Sequence, residues 1–360
     1  MENFRWPAWI RENRVVAMIF GGLITLVLLI WAVSSFVARL QGPDAMPKSR
    51  LGIEVIGFYQ NNVKGSSTPG SRASFDAHAR QLTQVSPLWY SVSPTGSVTD
   101  TGYDASLVAA AHARQIKVVP LFVNAGGRSN VLLSATMRTR AAKNIESVVR
   151  ADHLDGASID FELLKPQSRT DLSLFIRDLF RNLQPLHKIV AVSVFPLKGL
   201  STSVNGAYDY KALAAHADYL VIMAYDHHYS GGPPGPVAPY AWVKENVAQA
   251  VHAAPKNRLV LAIGMYGYDW VNNGRAGAAP TVADVTAKAM AKSYGVPIRY
   301  IASESQNTFT YTKNGTSHVV WFMGDRSAKA RVALARQYHL RGIALWRLGM
   351  EDPGFWKNVP

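Results

Sequence analysis

Eight apolar segments with the character of β-strands recur after residue 51, and helical patterns separate them. The segments are GIEVIGFY (52–59), SPLWYSV (86–92), KVVPLFV (117–123), LDGASIDFE (154–162), IVAVSVF (189–195), YLVIMAYD (219–226), LVLAIGMYGYDW (259–270) and GIALWRLG (342–349). Alternating strands and helices indicate βα units around a parallel sheet. Eight such units in about 300 residues predict a TIM barrel. A doubly wound open sheet is the alternative, but no GxGxxG motif follows the first strand.

The helical segments show apolar residues at helical spacing. At 170–183 the repeat is clearest, and further helices are predicted at 240–252 and 326–341. More than seventy residues separate the last two strand segments, which is too long for a single βα unit. Alternating aromatic and polar residues in this interval predict hairpin strands. We therefore expect residues 271 to about 324 to form a small α+β insertion at the C-terminal rim of the barrel.

An uncharged apolar run of 23 residues, Val15–Val37, lies near the N-terminus. This length is sufficient to span a bilayer, and it exceeds the apolar core of a typical cleaved signal peptide. Three arginines precede the run and one follows it closely, so the positive-inside rule predicts a cytoplasmic N-terminus. We expect a cytoplasmic tail (1–14), a single-pass signal anchor (15–37), a linker (38–50) and an extracytoplasmic domain (51–360). A cleaved signal peptide is the alternative.

The formal net charge of the chain is +14. A basic surface favours anionic partners such as wall polymers, acidic polysaccharide or lipid headgroups. No nucleic-acid-binding motif accompanies the charge, so no nucleic acid partner is expected, and no obligate protein partner is predicted. The chain contains no cysteine, which excludes disulfides, thiolate metal ligands and thiol nucleophiles.

The octapeptide DGASIDFE, residues 155–162, places acidic side chains two residues apart in a strand-like context. On a strand Ser158, Asp160 and Glu162 share one face, with the two carboxylates about 6.6 Å apart along the chain. Each carboxylate then disfavours ionisation of the other, so one can keep a proton near neutral pH and act as a general acid. The alternative is that these acids only face solvent at the tip of a strand.

Further candidate residues occur at the ends of other strands, where TIM barrels carry their chemistry. Met223, Tyr225 and Asp226 form the sequence MAYD in strand six, and Trp346 lies in strand eight. With DGASIDFE these motifs resemble, in order and on matching strands, the DGxDxDxE, MxYD and tryptophan signature of glycoside hydrolase family 18. Within that family the chain is most similar to the bacterial spore-cortex-lytic N-acetylglucosaminidases.

The resemblance implies a role for each matched residue. Glu162 would be the general acid and then the base, while Asp160 would orient the 2-acetamido group of the substrate. The carbonyl of that group would attack the anomeric carbon, as in substrate-assisted glycosidases. Tyr225 would hydrogen-bond the acetamido carbonyl and Trp346 would form the floor beneath the sugar. The remaining expected substrate-binding residues are Asp226, Met223, Ser158 and Tyr59, and the chemistry needs no metal or cofactor.

Two features keep alternatives open. Ser158 replaces the middle aspartate of the family motif, which weakens the charge relay beneath Asp160 and leaves a catalytically silent glycan-binding barrel as the alternative function. Phe58, Tyr59, Trp89 and Tyr90 are candidate aromatic residues of a cleft, although strands one and two could bury them as core. The expected substrate is a β-1,4-linked N-acetylglucosamine glycan, with peptidoglycan first and a chitin-like or secreted polysaccharide second.

Overall fold

The computed structural model describes residues 52–62, 65, 68–127, 130–132, 134–273 and 275–357. The expected tail, signal anchor and linker (1–14, 15–37 and 38–50) lie outside these ranges. Within them, no helix combines the length and the apolar character needed to cross a membrane.

Fifteen strands occur among the described residues, and eight of them form a closed parallel barrel. In chain order the strands are β1 (Glu54–Tyr59), β2 (Gln84–Val92), β3 (Val98–Asp100), β4 (Lys117–Val118), β5 (Leu121–Asn124), β6 (Gly156–Asp160), β7 (Ile189–Val194), β8 (Tyr219–Ile222), β9 (Leu259–Gly264), β10 (Tyr266–Val271), β11 (Thr281–Ala283), β12 (Arg299–Ile301), β13 (Gln306–Lys313), β14 (Thr316–Phe322) and β15 (Gly342–Trp346). The barrel order is β1-β2-β5-β6-β7-β8-β9-β15, and β15 pairs with β1 to close the ring. The predicted TIM barrel is confirmed.

Ten α-helices occur among the described residues, and most of them follow barrel strands. They are α1 (Arg72–His78), α2 (Ala105–His112), α3 (Ala135–Ala151), α4 (Arg169–Leu183), α5 (Thr202–Asn205), α6 (Tyr210–Ala214), α7 (Tyr240–Ala253), α8 (Asp284–Ser293), α9 (Gly324–Gln337) and α10 (Gly354–Lys357). The predicted helices at 170–183, 240–252 and 326–341 correspond to α4, α7 and α9.

Alternation of side chains along the strands separates two apolar layers. In β15, Ala344 packs inside the barrel, whereas its neighbours Ile343 and Leu345 pack in the outer layer. The inner layer is filled by apolar residues from several strands, among them Ile56, Phe58, Leu121, Ala191, Tyr219, Val221, Val260 and Ala262. The barrel interior described here is therefore a packed core.

The insertion between the last two barrel strands is a five-stranded antiparallel sheet in the order β11-β10-β14-β13-β12, with α8 beside it. It has a small core of its own, which includes Val282, Phe309 and Phe322. The insertion begins at Tyr266, five residues before the predicted start at 271, because the apolar run 259–270 is divided between two sheets. Gly267 lets β10 approach β14 closely, since a Cβ there would lie 1.7 Å from the Trp321 carbonyl oxygen.

Candidate active site

A pocket of about 180 Å³ lies at the carboxyl-terminal end of the barrel strands. It is lined by Phe58, Asp160, Glu162, Ser193, Met223, Tyr225, Asp226, Tyr266 and Trp346. These residues come from the ends of β1, β6, β7 and β15, from the start of β10, and from the segments that follow β6 and β8. The structure thus brings together six of the eight predicted site residues.

The two carboxyl groups of the DGASIDFE motif enter this pocket from the end of β6. Asp160 is the last residue of the strand, and Glu162 follows just beyond it. Burial, together with the charges of Asp160 and Asp226, raises the pKa of Glu162 to about 8. Burial also raises the pKa of Asp160, to about 6, although a hydrogen bond with Ser193 opposes this shift. Glu162 is therefore the group that keeps its proton at neutral pH.

A third carboxyl group, that of Asp226, is held by the first strand of the insertion. The hydroxyls of Tyr266 and Tyr268 donate to the same Asp226 Oδ1 at 2.5 and 3.0 Å. Burial raises the pKa of Asp226, and these two hydrogen bonds oppose the increase. Asp226 has a positive φ of 59°, which turns the chain immediately after the MAYD segment. The insertion thus contributes directly to the pocket.

Aromatic rings form much of the remaining wall. Trp346 meets Phe58 edge to face, with ring centroids 5.1 Å apart, and Tyr225 meets Tyr266 in the same way at 6.0 Å. Burial raises the pKa of the Tyr225 hydroxyl well above its ordinary value, so this group is a hydrogen-bond donor at any physiological pH. Aromatic faces next to polar groups suit a sugar ring, which presents both apolar and hydroxyl surfaces.

Two side chains hold the backbone on either side of the Phe161–Glu162 peptide bond. The Asn124 amide accepts from the Glu162 N–H and donates to the Glu162 carbonyl oxygen, both at 2.9 Å. The Tyr208 hydroxyl donates to the Phe161 carbonyl oxygen at 2.7 Å. The next residue, Leu163, has a φ of 52° and turns the chain away from the strand direction.

Two predicted residues lie outside the pocket lining. Ser158 is buried inside the barrel, in register with Leu121 and Ala191, one step below Asp160. Tyr59 packs in the outer layer against Phe75, with ring centroids 6.5 Å apart. Because adjacent strand residues face opposite sides, its neighbour Phe58 takes the position in the pocket that we had assigned to Tyr59.

No sequence motif indicates Ser193, Tyr266 or Asn124 as site residues. The signal for Ser193 is a polar residue on the inner face of an otherwise apolar strand, close to its carboxyl end. Asn124 likewise ends β5, but its contact with Glu162 depends on how neighbouring strands align. Trp89 and Tyr90, by contrast, are core residues with exposures of 0% and 1%.

Two larger depressions lie on the outer surface. One has a volume of about 520 Å³ and is lined by residues of α3 between Ala135 and Asn144. The other has a volume of about 670 Å³ and lies between residues of α6 and α7. Their lining residues include no carboxylate. In the described part of the chain, no group of three or more His, Asp or Glu side chains is placed to hold a metal ion. The acidic pocket at the barrel end is therefore the candidate active site.

The chain is similar to known proteins of one family. Residues 54–351 match the family Glycosyl hydrolases family 18. The chain is 30% identical over 299 residues to the sporulation-specific glycosylase YdhD of Bacillus subtilis, covering 79% of this chain and 70% of that protein. It is 30% identical over 261 residues to the cortical fragment-lytic enzyme of Bacillus cereus, covering 68% of this chain and 60% of that enzyme.

Among solved structures, a chitinase from Chromobacterium violaceum superposes with a TM-score of 0.78 at 29% identity, covering 85% of this chain and 98% of that one. The expected resemblance is confirmed, and the relatives named as hydrolytic enzymes favour an enzyme over a silent glycan-binding barrel. The chain belongs to glycosyl hydrolase family 18 and is a glycoside hydrolase.

Proposed function

We propose that this protein is a membrane-anchored, extracytoplasmic glycosidase that hydrolyses β-1,4 bonds in N-acetylglucosamine-containing glycan, with peptidoglycan as its first substrate and chitin-like or secreted polysaccharide as its second. The names of its relatives, a cortical fragment-lytic enzyme and a chitinase, support this substrate class. The net charge of +14 favours an anionic wall glycan over neutral chitin.

The observation that carries the proposal is the unequal pair of carboxyl groups in one pocket. The pKa of Glu162 is raised to about 8 and that of Asp160 to about 6, so Glu162 is the member of the pair that holds a proton more readily. Environments that separate two carboxyl pKa values in this way assign one group as the acid and the other as a charged partner. At neutral pH the pocket therefore offers both a proton donor and a carboxylate.

The reaction follows from these two states. Glu162 gives its proton to the glycosidic oxygen, and that bond to the anomeric carbon breaks. The acetamido carbonyl oxygen of the substrate bonds to the anomeric carbon, while Asp160 and the Tyr225 hydroxyl hold this group. Glu162, now ionised, takes a proton from water, whose oxygen displaces the acetamido oxygen. The configuration is inverted twice and thus retained, and Glu162 recovers its proton.

The size of the pocket is consistent with one bound sugar at the site of cleavage. Its volume of about 180 Å³ lies below the roughly 300–1,000 Å³ of sites for drug-sized ligands. Trp346 and Phe58 provide the aromatic surface for that sugar. The rest of a glycan chain would lie along the open rim.

The test is hydrolysis by the full chain and by Glu162→Gln, with purified peptidoglycan and chitin oligomers as separate substrates and mass spectrometry of the released ends. We expect new reducing N-acetylglucosamine ends from the wild type and at least a thousandfold slower release from Glu162→Gln, because glutamine cannot donate a proton as the acid does. Glu245→Gln, on the exposed face of α7, is the control and should cleave at the wild-type rate.

The products distinguish the outcomes. Peptidoglycan fragments alone would establish the first substrate, and chitin fragments alone would replace it by the second. If the wild type binds both glycans but releases no new ends from either, the proposed hydrolysis is wrong. The anomeric form of the first product, observed by NMR before mutarotation, tests whether the configuration is retained.

A further inference from the structure

Glu162, the general acid proposed above, lies in a segment that is neither strand nor helix. Pairing between β5 and β6 ends with Val123 opposite Asp160, two residues before Glu162. Just beyond Glu162, Leu163 has a positive φ of 52° and is 63% exposed. The strand ladder therefore does not fix the position of Glu162, although its carboxyl must lie within hydrogen-bond reach of the bond to be cleaved.

The side chain of Asn124 holds the Glu162 backbone beyond the end of the β5–β6 pairing. It is only 7% exposed, and both polar ends of its amide bond to Glu162: the oxygen to the N–H and the nitrogen to the carbonyl, each at 2.9 Å. Asn124 itself is fixed because its backbone pairs with Val92 of β2. The Asn124 side-chain amide thus bonds to the Glu162 backbone, where the hydrogen bonds between β5 and β6 have ended.

We propose that Asn124 is a positioning residue for catalysis, which holds the Glu162 backbone so that its carboxyl meets the glycosidic oxygen. This inference rests on the proposed role of Glu162. Loss of the amide would remove this partner from the part-buried N–H and carbonyl of Glu162 and would free the turn before Leu163. Small misplacements of a catalytic group reduce rates strongly, on the order of a hundredfold per ångström.

The chain offers a matched control in Asn246 of α7. Its amide makes the same pair of bonds to another residue, accepting from the Lys198 N–H at 2.7 Å and donating to the Lys198 carbonyl oxygen at 3.2 Å. Asn246 is 1% exposed, and neither it nor Lys198 lines the acidic pocket. Removal of either amide should lower the stability by a similar amount, but only removal of the Asn124 amide should reduce kcat.

The experiment compares Asn124→Ala, Asn246→Ala and Glu162→Gln with the wild type, all as the full chain on soluble peptidoglycan glycan strands. For Asn124→Ala we expect kcat to fall about 10- to 100-fold while KM stays within about threefold, because the sugar-binding walls are unchanged. For Asn246→Ala we expect kcat within about twofold of the wild type. Thermal unfolding should show a comparable decrease in Tm for both asparagine variants.

The outcomes separate the inference from the proposed function. If Glu162→Gln loses activity but Asn124→Ala and Asn246→Ala keep equal kcat values, the positioning role is wrong and the acid assignment stands. If Glu162→Gln cleaves at the wild-type rate, or the wild type does not cleave, the proposed function itself fails. If Asn124→Ala does not fold, Asn124→Asp keeps the size and the acceptor, and its kcat should fall about threefold or more. An unchanged kcat in Asn124→Asp would overturn the inference.

Discussion

At the scale of single residues, the pocket is a set of carboxyl groups that control one another's protonation. Asp160 and Asp226 both raise the pKa of Glu162, in addition to burial. The active form has Glu162 protonated and Asp160 ionised. Because the two groups interact, a pH–rate profile reports apparent values that belong to the pair.

The pH dependence of kcat/KM should follow from these states. We expect a bell-shaped profile with its maximum between about pH 6 and about pH 8. In Asp160→Asn the charge that raises the Glu162 pKa is absent, so the alkaline limb should move to lower pH, and kcat should fall roughly a hundredfold or more. Asp76→Asn, on exposed α1, is the control and should keep the wild-type profile. An alkaline limb that does not move would contradict the assignment of this limb to Glu162.

Individual residues also show what could be predicted from sequence. Asp160, Glu162, Tyr225 and Trp346 were placed in one site because motifs and strand ends coincide. Tyr59, a predicted substrate-binding residue, lies outside the pocket, since the sequence does not indicate which of two adjacent aromatic residues faces inwards. Asn124 could not be predicted, because its contact with Glu162 depends on the register between two strands 38 positions apart.

At the scale of elements, one buried arginine joins the insertion to the barrel. Arg331 of α9 is 1% exposed and donates to the carbonyl oxygens of Ser305 and Ala238 at 2.9 and 2.6 Å. Burial lowers the pKa of its guanidinium to about 10, and the group is still charged at neutral pH. It connects α9, the turn before β13 and the segment that precedes α7.

Removal of this arginine should destabilise the protein. We expect Arg331→Ala to lower the free energy of unfolding by about 2–4 kcal/mol, because several buried carbonyl oxygens lose their donor at once. Arg299→Ala, at an exposed position in β12, should change it by less than about 0.5 kcal/mol. Denaturant unfolding of both variants measures the difference, and equal stabilities would show that Arg331 is dispensable.

The elements themselves were largely predictable, but the boundary of the insertion was not. Apolar periodicity located all eight barrel strands and the helices α4, α7 and α9. The run 259–270 appeared to be one strand because both of its halves are apolar. The division at Met265 arises from tertiary pairing: its N–H donates to the Trp346 carbonyl oxygen at 2.7 Å, and β10 then pairs with β14.

At the scale of the whole molecule, two sequence features predict how the protein stays near its substrate: the apolar run 15–37 and the net charge of +14. They act differently, because salt screens surface charge but does not extract a membrane span. We expect the full chain to remain in the membrane fraction at about 1 M NaCl, whereas a chain lacking residues 1–37 is released. In intact spheroplasts, external protease should digest the domain. Release of the full chain by salt would contradict the anchor.

The closure of the barrel ring also determines when the pocket is complete. β15, which ends at Trp346, pairs with β1, and its tryptophan lies against Phe58 of that first barrel strand. Until β15 is inserted between β9 and β1, the sheet is open and the pocket lacks Trp346. The pocket is therefore assembled only when this strand has paired with both of its neighbours.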